Sequence, residues 1–334
     1  QTANLEPAIA AAAPEELSIV VTDLYQERQY FETITDIISD KLATIPQGAV
    51  GVVGVRSEFD GTVYTEAERG TGSFAVSSAE AAHPFYIVFV GRVDEVSFYM
   101  KDLKQRLTGL NFQEGVEYTV FSPERIYETL PVQQRKSQSA FREAGLSEVS
   151  VPENRMRGDR IGVNLQDPAV QPLQLKQGGQ DDVIIPYQIP LNQIEDTFLP
   201  SNLSVVFQQS HTLLDEVRKE FAGEDATVGG ALSVENASIS PSQLDFSLNL
   251  SPQDFRNRVS FFTLDAAVVP AGSGGPSFSQ KEGWAGWSST SSETDGRKTH
   301  NLDKFLDGLA INTTDKMRSN NISVGQYCYL IKAS

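Results

Sequence analysis

The chain predicts an α/β fold, and three observations carry that expectation. Leu17-Ser-Ile-Val-Val-Thr22 is a strand-like apolar run that ends on an acidic residue, Asp23. Ala49-Val-Gly-Val-Val-Gly-Val55 and Pro84-Phe-Tyr-Ile-Val-Phe-Val90 are almost uninterrupted apolar runs, the pattern of strands buried on both faces. After the first and the third of these runs come segments whose apolar residues recur at helical spacing, so buried strands and covering helices succeed one another.

Taken in order, residues 1–14 read as a flexible lead. They lack the charged n-region of an intact signal peptide, and a chain that starts at Gln1 leaves a removed targeting segment, and the compartment, open. Residues 15–135 read as the α/β core. Within Glu27–Ile45, the residues Tyr30, Phe31, Ile34, Ile37, Ile38, Leu42 and Ile45 share one helical face, with Glu32, Asp36 and Lys41 turned outward. Pro46-Gln-Gly48 ends that helix, and a sharp turn is expected at Asp60-Gly61, where glycine permits positive φ. After Gly91, a second helical face is supplied by Val93, Val96, Tyr99, Met100, Leu103 and Leu107.

The pattern changes beyond residue 135. Residues 136–154 read as a connector, and the polar, glycine-containing stretch 136–181 as a projecting loop or poorly ordered link. Residues 155–270 read as a β-rich insertion or second domain, with strands at Val183–Ile189, Leu203–Phe207, Leu244–Leu250 and Val259–Leu264. Residues 271–299 form an irregular loop anchored by Trp284 and Trp287. Residues 300–334 supply a short helix from Asn301 to Leu309 carrying Leu302, Phe305, Leu306 and Leu309, then a terminal strand from Ser323 to Ile331 that closes the first sheet or completes the second.

At 334 residues the chain is long enough for one enlarged α/β domain or two domains. Its 27 Lys and Arg stand against 44 Asp and Glu, a formal charge of -17, and no basic tract offsets this locally. Long-range attraction to nucleic acid or an anionic membrane is therefore disfavoured, and the expected partner is a protein. No apolar run is long enough to cross a bilayer. The single cysteine, Cys328, has no intrachain disulfide partner and sits in the apolar run Tyr327–Ile331, where it reads as a small buried hydrophobe. The oligomeric state is not legible.

Val20-Val-Thr-Asp23-Leu-Tyr-Gln26, the helix after it, Gly51-Val-Val-Gly-Val-Arg-Ser57 and Pro84–Gly91 together resemble the core of a von Willebrand factor A-like domain over residues 15 to 130. The resemblance implies an open, parallel-rich sheet flanked by helices, here carrying the β-rich insertion or second domain. It also implies a divalent-ion site above the carboxyl edge of the strands, and a role in adhesion or assembly. Asp23 matches the first acidic residue of the family's metal motif. Tyr25 and Glu27 stand where its two serines would be, and Gly91-Arg92 stands where a further acidic ligand is expected, with Asp94 displaced beyond it. An altered site for Mg²⁺ or Ca²⁺ would draw on Asp23, Glu27, Asp60 and Asp94, against the repulsion of an adjacent arginine. The bland alternative is that Asp23 caps the following helix or pairs with Arg56 or Arg92.

Other chemistries find less support in the residues. Asp23 and Asp60 are a conceivable carboxylate pair for a hydrolase, but nothing in the sequence sets their separation. His83, His211 and His300 have no metal-ligand spacing among themselves, and Gly48, Gly51 and Gly54 lack the context of a phosphate-binding loop. Asn202, Asn236, Asn312 and Asn321 open permissive glycosylation triplets, a short and unspecific pattern. The reading that follows is a noncatalytic interaction or assembly (scaffold) protein without a cofactor. Its partner surface would lie near Tyr25, Gln26, Arg56, Ser57 and Arg92, where Tyr25 offers a hydrogen bond with apolar area and the arginines bind carboxylates. A divalent-metal-dependent adhesion protein and a hydrolase using acidic strand-end residues are the alternatives.

Overall fold

The computed structural model describes residues 5–11, 13, 15–24, 28–67, 70–77, 82–112, 114–129, 135–152, 169–176, 181–215, 220–221, 230–255, 259–271, 278, 283–289 and 297–333. Helices and strands are mixed along the chain, as an α/β composition requires. The contacts divide into two units: residues 1–126, 194–202 and 270–322 form the first, and residues 127–193, 203–269 and 323–334 the second.

The first unit is built on a four-stranded sheet. Its elements are α1 (Glu6–Ala10), β1 (Ser18–Thr22), α2 (Arg28–Thr44), β2 (Gly48–Glu58), a separate hairpin of β3 (Gly61–Ala67) and β4 (Gly70–Val76), β5 (Ala82–Arg92), α3 (Val93–Gly109) and β6 (Val116–Phe121). The sheet order is β1-β5-β2-β6, and all three pairings are antiparallel. The parallel-rich sheet implied by the family resemblance is thus not the one formed. The β1–α2–β2 crossover does leave β1 and β2 running the same way, but β5 fills the gap between them in the opposite direction. The β5–α3–β6 crossover is likewise split by β2.

Alternation along the strands sorts the core into two layers. Val50, Val52, Tyr86, Val88 and Val90 face the layer that includes Phe31, Ile34, Ile38 and Leu42 of α2. Ala49, Val53, Val55 and Phe89 face Val93, Val96 and Met100 of α3. Both central strands are therefore buried on both sides, which is why their sequences read as continuous apolar runs. Gly51 lies under α3, where an added Cβ would strike Met100 and Val96.

The second unit contains α4 (Gln138–Glu143), β7 (Val149–Ser150), β8 (Val170–Leu175), β9 (Val183–Pro190), β10 (Leu203–Asp215), β11 (Glu220–Phe221), β12 (Leu232–Ser240), β13 (Gln243–Leu250) and β14 (Val259–Pro270). Two very short strands of the first unit, β15 (Ser288–Ser289) and β16 (Thr299–His300), and the helix α5 (Leu302–Asn320) precede the terminal strand β17 (Ile322–Ala333). A six-stranded sheet β11-β10-β14-β17-β8-β7 faces a three-stranded sheet β12-β13-β9. Aromatic rings join them: the ring centres of Tyr187 and Tyr329 lie 5.8 Å apart, and those of Phe246 and Tyr327 5.4 Å. A bulge in β12 between Glu235 and Ser238 places Asn236 at φ 53, a backbone that asparagine tolerates.

These elements revise the sequence reading in two places, the middle stretch and the last helix, and decide between its two alternatives for the terminal strand. The stretch 136–181 is not only connector, because it holds α4, β7 and β8. The terminal strand β17 pairs in parallel with β8 from Cys328↔Val170 to Ala333↔Leu175, and so completes the second unit's sheet. The helix α5 instead packs on α2 in the first unit and is 19 residues long, well beyond the short helix ending at Leu309. No helix among the described residues is long and apolar enough to cross a membrane.

Candidate functional site

The antiparallel sheet decides which site residues can meet. Thr22 of β1 pairs with Tyr86, Arg56 of β2 pairs with Pro84, and Ser57 pairs with His83, so Asp23, Arg56 and Ser57 share one end of the sheet. Arg92 pairs with Gly48 at the other end. Tyr86 and Arg92 are six residues apart on one strand, roughly 20 Å at the rise of an extended chain. The proposed grouping of Arg92 with Arg56, and of Asp94 with Asp23, therefore does not form. In a parallel sheet all carboxyl ends share a rim, whereas the reversal of β5 carries its carboxyl end to the opposite one.

Asp94 has a local structural role at that opposite end. It lies in the first turn of α3, where the helix dipole favours an anion, and its Oδ1 accepts from Arg125 Nη1 at 2.8 Å. Arg125 Nη1 also donates to Gln47 Oε1 at 3.2 Å, and Glu124 Oε2 accepts from Gln47 N at 3.0 Å. Asp60 sits between β2 and β3, past the last β2 residue that pairs with β5. Tyr25, Gln26 and Glu27 lie outside the described residues. Among the described residues no group of three or more His, Cys, Asp and Glu side chains could hold a metal ion.

At the Asp23 end the chain builds a polar seam over an aromatic floor. Leu24, at φ 49, is fully buried just after the exposed Asp23, and its N–H is taken by Thr22 Oγ1 at 3.0 Å. Tyr86 Oη donates to Thr299 Oγ1 at 2.9 Å, and Thr299 Oγ1 donates onward to the Asp23 carbonyl at 3.5 Å. Burial holds the Tyr86 phenol well above its usual range, with the Thr299 bond and the Arg56 charge acting against that and Asp23 adding to it. Tyr86 is thus a structural donor rather than an acid at neutral pH.

Arg56 lies across this seam. Its guanidinium carbon is 4.5 Å from the centre of the Trp287 ring, its Nη2 donates to Gly286 O at 3.3 Å, and its Nε is buried without a hydrogen-bond partner among the described residues. Trp284 and Trp287 are both 3 % exposed, and Trp284 Nε1 donates to Thr119 Oγ1 at 2.9 Å. They anchor the loop on the sheet, and Gly54 leaves room for their rings. Ser57 Oγ reaches the His83 carbonyl at 3.4 Å. The three histidines are dispersed: His83 lies beside Phe59, His211 beside Phe262, and His300 Nε2 is 2.7 Å from Asn301 Nδ2.

Two features of the first unit were not singled out by the sequence. One is the outer edge of β1, the terminal strand of the sheet order, where Ile19 is 51 % and Val21 66 % exposed. At the other sheet edge the chain bridges β6 at one position, since Val120 N donates to Asp196 O at 2.9 Å and Phe198 N to Val120 O at 2.7 Å. The second feature is a half-open cavity of about 360 Å³ lined by Lys104, Thr108, Phe112, Val116, Glu117, Tyr118 and Asp196. Alternation in Leu17–Thr22 points the other way, since Leu17, Ile19 and Val21 share one parity and Ser18 and Thr22 the other, so the exposure of Ile19 and Val21 is not written in the run; the second needs the fold of α3 onto β6. No family model, curated protein or solved structure matches the chain.

Proposed function

We propose that this is a noncatalytic interaction or assembly protein that binds an extended segment of a partner protein along β1. The observation that carries the reading is the asymmetry of the first unit's sheet among the described residues: Val120 of β6 exchanges backbone bonds with Asp196 and Phe198, while β1 ends the sheet order with Ile19 and Val21 exposed on one face. An edge strand offers a row of unpaired backbone groups, and natural proteins usually blunt such an edge with charge or proline. Here the strand itself carries Ile19 and Val21 in place of a gatekeeping lysine. Strand addition would satisfy the backbone groups and cover these two side chains.

Charge defines the partner segment. Exposed Glu15 and Glu16 precede β1 and exposed Asp23 follows it, on a chain of net charge -17. The complementary segment alternates apolar residues and carries lysine or arginine at both ends. Arg56 is withdrawn into contact with Trp287 and Gly286, so in this reading it organises the strand ends instead of capturing a carboxylate.

The test is amide hydrogen exchange with a synthetic alternating valine–threonine peptide flanked by lysines, and with its glutamate-flanked counterpart. The lysine peptide is expected to slow exchange within residues 18–22, the glutamate peptide to leave it unchanged, and Ile19→Lys/Val21→Lys to abolish the protection. Equal behaviour of the two peptides, or protection only outside β1, would overturn the reading.

A further inference from the structure

We propose that α3 selects the segment that adds to β1: the segment runs antiparallel to β1, reads apolar-x-apolar-x-basic, and sets its lysine or arginine opposite Leu17, within reach of Glu95 and Tyr99. This rests on the reading of β1 as a docking edge and names the side chain by which its partner is told apart.

Register fixes the faces. Ile19 pairs with Phe89 and Val21 with Ile87, and both of those β5 residues belong to the layer under α3. Directly opposed residues share a face, so Ile19 and Val21 point to the α3 side as well. The next step of the same register sets Leu17 beside Gly91, where an added Cβ would lie 2.9 Å from Leu17 Cδ1 and 3.6 Å from Glu95 Oε2. Glu95 therefore stands over the start of β1, on the flank of α3 away from Lys104, whose ammonium lies over Tyr118 of β6. Tyr99 follows Glu95 by one turn on that flank. Its ring is 47 % exposed, and Phe98 packs edge-on against it with ring centres 5.3 Å apart. The strip between α3 and the free edge of β1 thus has an apolar floor and a wall that is part aromatic and part acidic.

Charge decides what fills the strip. Glu95 Oε2 is buried with no hydrogen-bond partner among the described residues. Asp94, the other acid of the first turn, is held by Arg125, and Arg106 on the Tyr99 flank is held by Asp102 at 2.7 Å. Arg92 has the parity of Tyr86, Val88 and Val90 and so belongs to the α2 face. An added strand lies about 4.8 Å beyond β1, and its residue opposite Leu17 points toward α3. A lysine there lays its methylenes along Tyr99 and brings its ammonium to Glu95. Asp23 at the far end is exposed, where an ion pair adds little. A second copy of this chain does not fit, because an antiparallel β1 pair centred on Val20 puts Asp23 opposite Leu17 and turns a carboxylate toward Glu95. The direction of the segment follows the sheet, whose three pairings are all antiparallel.

The experiment titrates the full chain with two blocked peptides of one composition, an alternating valine–threonine run with lysine at its carboxyl end and the same run with lysine at its amino end. Amide hydrogen exchange within residues 18–22 reports docking on β1, and calorimetry reports affinity. Both peptides are expected to slow exchange, the lysine-last peptide binding about tenfold tighter, the size of one charge-assisted contact. Glu95→Gln is expected to erase that preference. Norleucine in place of the carboxyl-terminal lysine tests the same contact on the natural chain, with the same loss expected, and decides alone should Glu95→Gln lose its near-ultraviolet dichroism. Equal affinities, a preference for the lysine-first peptide, a preference that persists in folded Glu95→Gln, or norleucine binding as well as lysine would overturn the inference and leave the docking edge standing. Protection of residues 18–22 by neither peptide would overturn both.

Discussion

Tyr86 and Thr299, 213 positions apart in the chain, meet in the core through a hydrogen bond of 2.9 Å from the phenol to the threonine hydroxyl. Thr299 uses its own proton on the Asp23 carbonyl, so one hydroxyl ties β5, the end of β1 and the strand β16 together. The two partners are not equivalent on removal. Tyr86→Phe deletes a donor and leaves Thr299 with its second bond, at a cost of about 1 kcal/mol. Thr299→Val leaves the fully buried phenol with no acceptor and is expected to cost roughly 2 kcal/mol or more. Urea unfolding of both variants checks the order, and a larger loss for Tyr86→Phe would contradict the bonding scheme.

Gly51 tests the packing of α3 on the sheet. A Cβ there would meet the Met100 sulfur and would lie 2.9 Å from Val96 Cγ1. Gly51→Ala is expected to cost about 1–3 kcal/mol by overpacking. Because thioether side chains adapt, the penalty should shrink in a Met100→Ala background. A double-mutant cycle by denaturant unfolding measures this, and strictly additive losses would place the strain elsewhere.

What the sequence carried, and what it did not, follows from these same residues. Val50, Val52, Val53, Val88 and Val90 are apolar because both faces of β2 and β5 are covered, and that much is written in the run. Strand direction is not written there, since a doubly covered strand reads alike whether its neighbours run parallel or antiparallel. The β1–α2–β2 crossover was legible, but the insertion of β5 into its gap depends on pairing such as Val52↔Val88, which no local pattern specifies. That single fact moved Arg92 and Asp94 away from Asp23. The strand β6 escaped notice because Glu117 and Tyr118 interrupt its apolar residues, and with it went the cavity. The pairing of β8 with β17 was hidden by polar Gln171 and Gln174 and by the long sequence separation.

Glu117 makes stability depend on pH in a defined sense. Its folded-state pKa is raised, first by burial and then by Asp196, so the folded state holds the proton more tightly than the unfolded chain. The stability this lends is fully present below the unfolded carboxyl value of about 4.3 and is lost as pH rises through the folded value. Glu117→Gln, which mimics the protonated group, should therefore be more stable than the natural chain at neutral pH. The difference should vanish below about pH 4. Urea midpoints across that range check it, and a Glu117→Gln protein less stable at neutral pH would show that Arg56 and Lys104 dominate the carboxyl.

The outer edge of β1 separates surface chemistry from core chemistry on adjacent residues. Val21 is 66 % exposed, so Val21→Lys removes little buried area and should change stability by no more than about 0.5 kcal/mol. Val20, one position earlier, packs against the layer containing α2 and α5, and Val20→Lys drives an ammonium into that core. The second substitution should be the more destabilising by several-fold, because a strand's side chains alternate between its two faces. Val21→Lys also places a positive charge on the open edge, the device by which natural sheets resist pairing with one another. Light scattering at rising protein concentration is expected to show less self-association for Val21→Lys than for the natural chain, at an unchanged urea midpoint. Equal destabilisation by the two lysines would mean that the register Val20↔Val88 and Val21↔Ile87 does not hold in solution.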